Sequence, residues 1–133
     1  MDGINVQLEA DINPTESKEK VRRAIENIFG GMPILVKTLQ KKELMTAEAE
    51  GQDMLVKLRN LLRRERIRSA ARTIFIEGKD NETISFCLNK QVAYAGHVSF
   101  CEETSESPLG PIRVRIRCAR PRELIDWLVA KTT

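Results

Sequence analysis

Residues 112–117 alternate strictly between branched apolar side chains and arginines. Successive side chains of a strand point to opposite faces of the sheet, so one face of this strand is predicted to be buried and the other to be strongly basic. The apolar positions are Ile112, Val114 and Ile116, and the basic ones are Arg113, Arg115 and Arg117. The chain is therefore expected to contain a sheet with one covered face.

The same period of two opens the chain, because apolar and polar residues alternate over residues 4–12. This pattern predicts a half-buried first strand. The segment Asn13-Pro14-Thr15-Glu16 then has the composition of a helix start, with Asn13 as the N-cap, Pro14 at the first helical position and Glu16 as its capping-box partner. This helix is expected to end at Gly30-Gly31.

The middle of the chain is predicted to contain one strand over 33–39, and residues 45–51 are interpreted as a polar connection. Two apolar stripes over 54–62 and 67–75 are out of phase, which indicates two consecutive helices or one bent helix.

In the last third, strands are predicted over 83–88 and 97–101, with a turn over 78–82 before them. Asn89 is expected to cap a short helix, and Pro121 to start a C-terminal helix. The loop 102–111 is long enough to be mobile.

The intervals between the later strands are too short for helical crossovers, which favours antiparallel pairing. We therefore expect residues 1–133 to form a single α+β domain, with two layers and a largely antiparallel sheet covered by helices. A chain of 133 residues can bury a core of its own without disulfides or metals.

The charge is uneven along the chain. Residues 1–53 carry a net charge of −3 and residues 54–133 one of +6, which makes an anionic partner worth considering. The start Met1-Asp2-Gly3 does not resemble a signal peptide, and no apolar run spans a membrane. The three cysteines are an odd number and form no Cys-x-x-Cys or Cys/His cluster, so neither a zinc site nor a disulfide framework is expected. Their apolar, strand-like contexts predict thiols packed in the core, and reduced thiols indicate a cytoplasmic location; no cofactor is expected.

Five short motifs in a fixed order make the chain resemble an archaea-specific family of uncharacterised proteins. They are Asn13-Pro14-Thr15-Glu16, the arginine-rich segment 62–72, Leu88-Asn89-Lys90-Gln91, Ala95-Gly96 and Ser107-Pro108-Leu109-Gly110-Pro111-Ile112. The resemblance implies a fold similar to that of the ribosomal protein that binds 5S ribosomal RNA, a homodimer and a generic RNA-binding role. It supplies no catalytic or ligand-binding residues.

Arginines are concentrated in the segment 57–72. Arg59, Arg63 and Arg66 recur at i, i+4 and i+7, so on a continuous helix they would form one stripe able to contact successive phosphates. The alternative is a solvated helix face whose arginines pair with another subunit or with acids such as Glu48, Glu50 and Asp53.

Arg113, Arg115 and Arg117 project from one strand face about 7 Å apart, close to a single-stranded phosphate spacing. The alternative is that this strand pairs with the first one, in which case Glu9 and Asp11 would neutralise the arginines.

Lys90, beside a possible helix start, is a third candidate for binding an anion; its alternative is local capping and packing. An enzyme is not expected. His97 and Cys101 would lie about 13 Å apart along a strand, too far for a dyad, and no catalytic motif occurs.

The sequence therefore predicts a non-enzymatic cytoplasmic protein that binds RNA or a ribonucleoprotein through phosphates, without membrane association, and the family resemblance implies that it is a homodimer. The alternative is a homodimeric structural or protein-interaction module whose arginines are neutralised within the dimer, with the acidic loop 102–107 as a contact.

Overall fold

The computed structural model describes residues 3–102 and 109–130, and in this part of the chain seven strands form one antiparallel sheet. The strands are β1 (Asn5–Ile12), β2 (Ile34–Leu39), β3 (Lys42–Glu50), β4 (Lys79–Asp80), β5 (Thr83–Asn89), β6 (Phe100–Cys101) and β7 (Pro111–Arg117). Their spatial order is β2-β3-β1-β7-β5-β4, and β6 pairs with β5 outside this path.

Five α-helices are interspersed among the strands of the described residues. They are α1 (Lys18–Phe29), α2 (Val56–Arg64), α3 (Arg68–Glu77), α4 (Lys90–Tyr94) and α5 (Pro121–Leu128), with a 3-10 turn at Gln52–Leu55 before α2. Each helix contributes buried side chains to the same core as the strands. The helices therefore lie on one face of the sheet and leave the other face open, which confirms the predicted α+β architecture of a sheet covered by helices.

The alternation in β1 and β7 decides which side chains enter the core. In β1 the apolar residues of the pattern are buried, and in β7 Ile112, Val114 and Ile116 are buried. The two strands are antiparallel neighbours, with Glu9 opposite Arg113. The polar side chains of both strands consequently share the open face of the sheet.

The predicted polar connection over 45–51 is wrong. Residues Lys42–Glu50 form β3, which lies between β1 and β2 and buries Met45 and Ala47. The hairpin from β2 turns at Gln40 and Lys41, which have φ angles of 48° and 67°. Two successive positive φ angles are typical of a tight hairpin turn, which usually uses asparagine and glycine.

The first helix begins later than predicted. Lys18 is its first residue and Ser17 its N-cap, so Asn13 and Pro14 precede the helix. Glu16 does accept a hydrogen bond from the Asn13 amide at 3.0 Å, as in a capping box, but it does so within a turn. The glycine stop is confirmed, because Gly30 ends the helix with φ 80°.

Other boundaries were predicted more closely. Asn89 caps α4 by accepting a hydrogen bond from the Val92 amide at 2.9 Å. The strand predicted over 97–101 is shorter, since β6 contains only Phe100 and Cys101, and the predicted turn over 78–82 contains the two residues of β4. Most of the loop predicted over 102–111 lies outside the described residues.

The junction of α2 and α3 bears directly on the predicted arginine stripe. The segment is two helices, because α2 ends at Arg64 and α3 begins at Arg68. Between them Arg66 has φ 58°, in the left-handed region. Arg66 therefore does not continue the helical stripe started by Arg59 and Arg63.

Candidate nucleic-acid interface

Four arginines surround the junction of α2 and α3 and form a surface that we call the basic corner: Arg63, Arg64, Arg66 and Arg68. The first three are exposed and the fourth is half-buried. None of the four forms an ion pair with an acidic side chain of residues 3–102 or 109–130. Their positive charges are thus available to an external anion.

Glu65 is the one acidic residue within the corner segment, and its carboxylate is turned toward the loop after α4. Its Oε1 accepts a hydrogen bond from the Val98 amide at 3.0 Å, and its Oε2 lies 3.3 Å from His97 Nδ1. Only 17% of the Glu65 side chain is exposed. This carboxylate fixes the loop to the corner and does not pair with the four arginines.

Arg59 is held by the C-terminal helix. Its Nε donates to the Trp127 carbonyl at 2.8 Å, and its guanidinium lies over the Trp127 ring, 5.0 Å from the ring centroid. Both interactions attach α2 to α5, where the helix end leaves carbonyl groups without an intrahelical donor. Arg59 therefore has a structural role, because its guanidinium is engaged with Trp127.

Arg72 acts in the same way on the same helix end. It donates to the Val129 carbonyl at 3.0 Å and pairs with Asp126 at 2.7 Å. Two members of the arginine-rich segment thus hold α5 in place, and the basic corner is what remains exposed.

Arg113 forms ion pairs across the sheet with acids of β1, which confirms for this residue the alternative that Glu9 and Asp11 neutralise the strand arginines. Its Nη2 lies 2.6 Å from Glu9 Oε1 and 3.3 Å from Asp11 Oδ1. Partial burial alone would lower the pKa of Arg113, but hydrogen bonds and charge from the two carboxylates outweigh it and raise the pKa above its ordinary value. Arg113 therefore keeps its positive charge, and the carboxylates of Glu9 and Asp11 compensate that charge within the chain.

Arg115 and Arg117 are exposed on the open face and face neutral residues. Arg115 lies between Gln7 and Ser85, and Arg117 lies between Asn5 and Thr83. Acids occupy the same cross-strand rows one strand farther away, on β3. These acids are Glu48 in the row of Arg115 and Glu50 in the row of Arg117.

Strands are about 4.8 Å apart, so the backbones of these acids lie roughly 10 Å from those of the arginines, a gap that long side chains can partly close. The open face also forms a groove of about 810 Å³ whose lining includes Lys37, Glu9, Glu48 and Arg115. Its charge is mixed, and it offers a phosphate chain a weaker field than the basic corner does.

Lys90 does not fit the predicted role of an anion-binding residue. Its side chain is only 4% exposed, and its ammonium donates to the carbonyls of Asp11 and Leu109, both at 2.7 Å, and to Glu16 at 3.0 Å. An ammonium has three hydrogens to donate, and these are occupied. Lys90 is therefore not part of the proposed interface.

Two groups of arginines without a direct acidic partner remain, the basic corner and the pair Arg115 and Arg117, and they lie on different surfaces. The basic corner belongs to the helical layer, whereas Arg115 and Arg117 belong to the open face of the sheet. The sequence included Arg64 and Arg68 in the arginine-rich segment but not in the predicted stripe. Arg64 and Arg68 belong to the corner because the helix is broken at Arg66. The offset between the two apolar stripes predicts such a break or bend.

Comparison with known proteins places the chain in a family. A family model described as RNA binding matches residues 5–118. The chain is 38% identical over 130 residues to the UPF0201 protein of Pyrobaculum arsenaticum, which covers 97% of this chain and 91% of that protein. It is 42% identical over 127 residues to the UPF0201 protein of Sulfolobus acidocaldarius, covering 96% and 88% respectively. The chain belongs to the archaeal UPF0201 family.

The solved structures agree with this assignment. The crystal structure of the UPF0201 protein from Methanococcus jannaschii is 30% identical, covers 97% of this chain and 95% of its own, and superposes with a TM-score of 0.84. The family is described as RNA binding or as uncharacterised and not as an enzyme family. Among the described residues of this UPF0201 protein, none of the helices has the length and apolar character needed to cross a bilayer.

Proposed function

We propose that this UPF0201 protein binds RNA in the cytoplasm, without catalysis, by contacting the phosphate backbone with the basic corner. The observation that carries the proposal is the set of four arginines, Arg63, Arg64, Arg66 and Arg68, which have no acidic partner among the described residues. The planar guanidinium can donate two parallel hydrogen bonds to one phosphate, which suits an arginine cluster to this ligand.

Most of the aromatic residues are engaged within the fold, which favours backbone contact over base reading; Tyr94, which is 40% exposed, is the exception. Phe75, Phe86 and Phe100 pack on one another with centroid distances of 4.8 to 5.9 Å, and the Trp127 ring is covered by Arg59. Sequence-specific readers of single-stranded RNA usually stack bases on exposed aromatic rings. The corner contributes charge and shape, so we expect a preference for structured RNA and strong dependence on salt.

The test is a titration of fluorescent structured and single-stranded RNAs with the full chain at a low and a high salt concentration. The double variant Arg63→Ala/Arg66→Ala should weaken binding by about tenfold or more, because each lost phosphate contact removes a counterion-releasing interaction. The matched control is Arg115→Ala/Arg117→Ala, which removes the same charge from exposed arginines on the open face.

The control should bind nearly as well as the unmodified protein. Loss of binding in the control alone would move the site to the open face, and absence of binding at low salt would refute an RNA role. If only the basic-corner variant loses binding, the partner in the cell is either a free RNA or a ribonucleoprotein, since phosphates are accessible in both.

A second candidate function is a homodimeric interaction module, which one observation favours. β2 is an edge strand, and it exposes Leu35, Val36 and Leu39 to 64%, 39% and 59%. An apolar edge with unpaired backbone groups is suited to pairing with another strand. In this proposal the edge of β2 joins two copies of the chain.

Light scattering coupled to gel filtration tests the homodimer. The unmodified chain should elute with twice the monomer mass, and Leu35→Lys/Leu39→Lys should elute as a monomer with unchanged helix content. A monomer at all concentrations of the unmodified chain would exclude this module, and the RNA titration would be unaffected by that result.

A further inference from the structure

Cys87 and Cys101, 14 residues apart in the sequence, face each other across two neighbouring strands. Cys87 lies in β5, Cys101 lies in β6, and the two are direct partners in the antiparallel register. Directly opposed residues point to the same face of a sheet, which here is the open one, because Phe86 and Leu88 on either side of Cys87 are buried. The expectation of core thiols without a disulfide framework is therefore wrong in its placement of Cys87 and Cys101, which are half-buried, and is confirmed for the burial of Cys118.

The backbone geometry is that of a pair able to form a disulfide. The Asn89 amide donates to the Ser99 carbonyl at 2.8 Å, which makes Asn89 and Ser99 a hydrogen-bonded pair. Hydrogen-bonded and non-hydrogen-bonded pairs alternate along an antiparallel ladder, so Cys87 and Cys101, two residues away on each strand, are also a hydrogen-bonded pair. Such pairs have Cα atoms about 5.5 Å apart, within the range of about 4.4–6.8 Å found for disulfides. Formation of the bond needs no change of register.

Access to the pair is also favourable. Both cysteines are half-buried, and Cys87 lines the groove on the open face of the sheet. Cys118, by contrast, is 2% exposed within the core. An oxidant in solution can thus reach the pair while Cys118 is shielded.

We propose that Cys87 and Cys101 form a reversible disulfide by exchange with a low-molecular-weight disulfide. One cysteine thiolate attacks a sulfur of the oxidant, which leaves a mixed disulfide and expels one thiolate. The second cysteine thiolate then attacks the protein sulfur of that mixed disulfide, forms the Cys87–Cys101 bond and expels the second thiolate. Two thiol protons and two electrons leave the protein, and one disulfide is converted to two thiols.

The bond is expected to be readily reduced. Opposed β-carbons are about 4.5–5.5 Å apart, whereas a disulfide brings them to about 3.8 Å, so the strands must approach one another. β6 has only two residues and pairs with the rest of the sheet through β5. The short strand can make this movement, and the remaining strain gives the disulfide the more oxidising potential of a labile bond.

Oxidation also has a structural consequence. The bond closes a loop that contains α4, Lys90 and the His97 contact to Glu65. A closed loop has fewer unfolded conformations, which favours the folded state, whereas strain in the folded disulfide opposes this gain. Oxidation therefore joins β6, at the end of the loop that contacts Glu65, to β5 by a covalent bond.

The test uses the unmodified full chain, incubated with oxidised glutathione and then alkylated under denaturing conditions. Mass spectrometry should find two hydrogens lost, one alkylated cysteine at position 118, and one peptide pair linked through Cys87 and Cys101. Dithiothreitol should reverse the change. Cys118→Ala should form the same link, whereas Cys87→Ser should instead retain glutathione on Cys101.

Three results would overturn the proposal. They are two stable glutathione adducts without an internal link, a link that involves Cys118, and three unmodified thiols after an incubation in which an unfolded sample reacts fully. The first measurement requires no substitution, so misfolding of a variant cannot account for a negative result.

Discussion

The Lys90 ammonium lies 3.0 Å from the Glu16 carboxylate, and both side chains are at most 10% exposed. This pair joins the segment before α1 to the start of α4, and it also ties both to the carbonyl of Leu109. A charge pair so far from solvent is costly to break, because removal of one partner leaves the other charge buried without compensation.

Substitution of Lys90 should therefore destabilise the fold strongly. We expect Lys90→Met to lower the free energy of unfolding by about 3–5 kcal/mol, because Glu16 and two backbone carbonyls lose their donor. Urea unfolding followed by circular dichroism measures the change. The matched control is Lys18→Met, which breaks an exposed pair with Glu43 and should cost less than about 1 kcal/mol. Equal effects of the two variants would contradict the structural role of Lys90.

Arg59 and Arg63, one helical turn apart, should respond to substitution in opposite ways. Arg59→Ala should lower the free energy of unfolding by about 2 kcal/mol, because it removes a charged hydrogen bond and a cation–π contact with Trp127. Arg63→Ala should change stability little and weaken RNA binding. Parallel urea unfolding and RNA titrations of both variants check this. A loss of RNA affinity in a fully folded Arg59→Ala protein would place Arg59 in the interface after all.

The salt dependence of RNA binding should report the number of phosphate contacts made by the basic corner. For Arg63→Ala/Arg66→Ala, the slope of log K against log salt should become less steep by about 1.4–1.8, since each contact contributes about 0.7–0.9. Fluorescence anisotropy at four or more salt concentrations gives the slope. If affinity falls but the slope is unchanged, the arginines do not contact phosphates.

Cys118 should make the protein less stable in alkaline solution. Burial is the main cause that raises the pKa of its thiol, with a further contribution from Glu82 and an opposing one from a backbone hydrogen bond of Arg120. Above the pKa of about 8.5 in the unfolded chain, the unfolded state loses its proton while the folded state keeps it. The thiol's contribution to stability is thus complete below that pH and is lost as pH rises toward the folded pKa.

Urea unfolding at pH about 7 and about 10 tests this. The unmodified protein should lose more stability between the two values than Cys118→Ala does, by at most about 1.4 kcal/mol per pH unit. An equal loss in both proteins would show that another group accounts for the alkaline effect.

The sequence predicted the elements in which burial follows a simple period. β1 and β7 alternate because one face of each is covered, and the helices carry apolar stripes because each contacts the core on one side. β3 escaped prediction because its buried residues are Met45 and Ala47, which have no marked preference for strands, and because the hairpin turn that joins it to β2 uses Gln40 and Lys41 in place of asparagine and glycine. Its pairing with β1 is a tertiary effect, which periodicity does not encode.

The candidate site was predicted in outline, and the details depended on contacts between distant residues. The arginine-rich segment was recognised, but which arginines are engaged follows from α5, whose Trp127 and Val129 carbonyls bind Arg59 and Arg72. Likewise, the neutralisation of Arg113 depends on the register of β7 against β1, and the burial of Lys90 depends on Glu16. Charge composition locates cations along the chain, whereas their partners are decided by the fold.

The neighbouring positions of β1 and β7 also affect how the chain acquires its structure. β1 lies between β3 and β7, and Ala10 pairs with Ile112. During synthesis, β1 can pair with β3 on one side as soon as β3 has emerged, but its other side has no partner until β7 has been made. Such long-range pairing gives a high contact order and slow folding. The nascent chain therefore carries an open edge in the middle of its future sheet while all the residues between β3 and β7 are being synthesised.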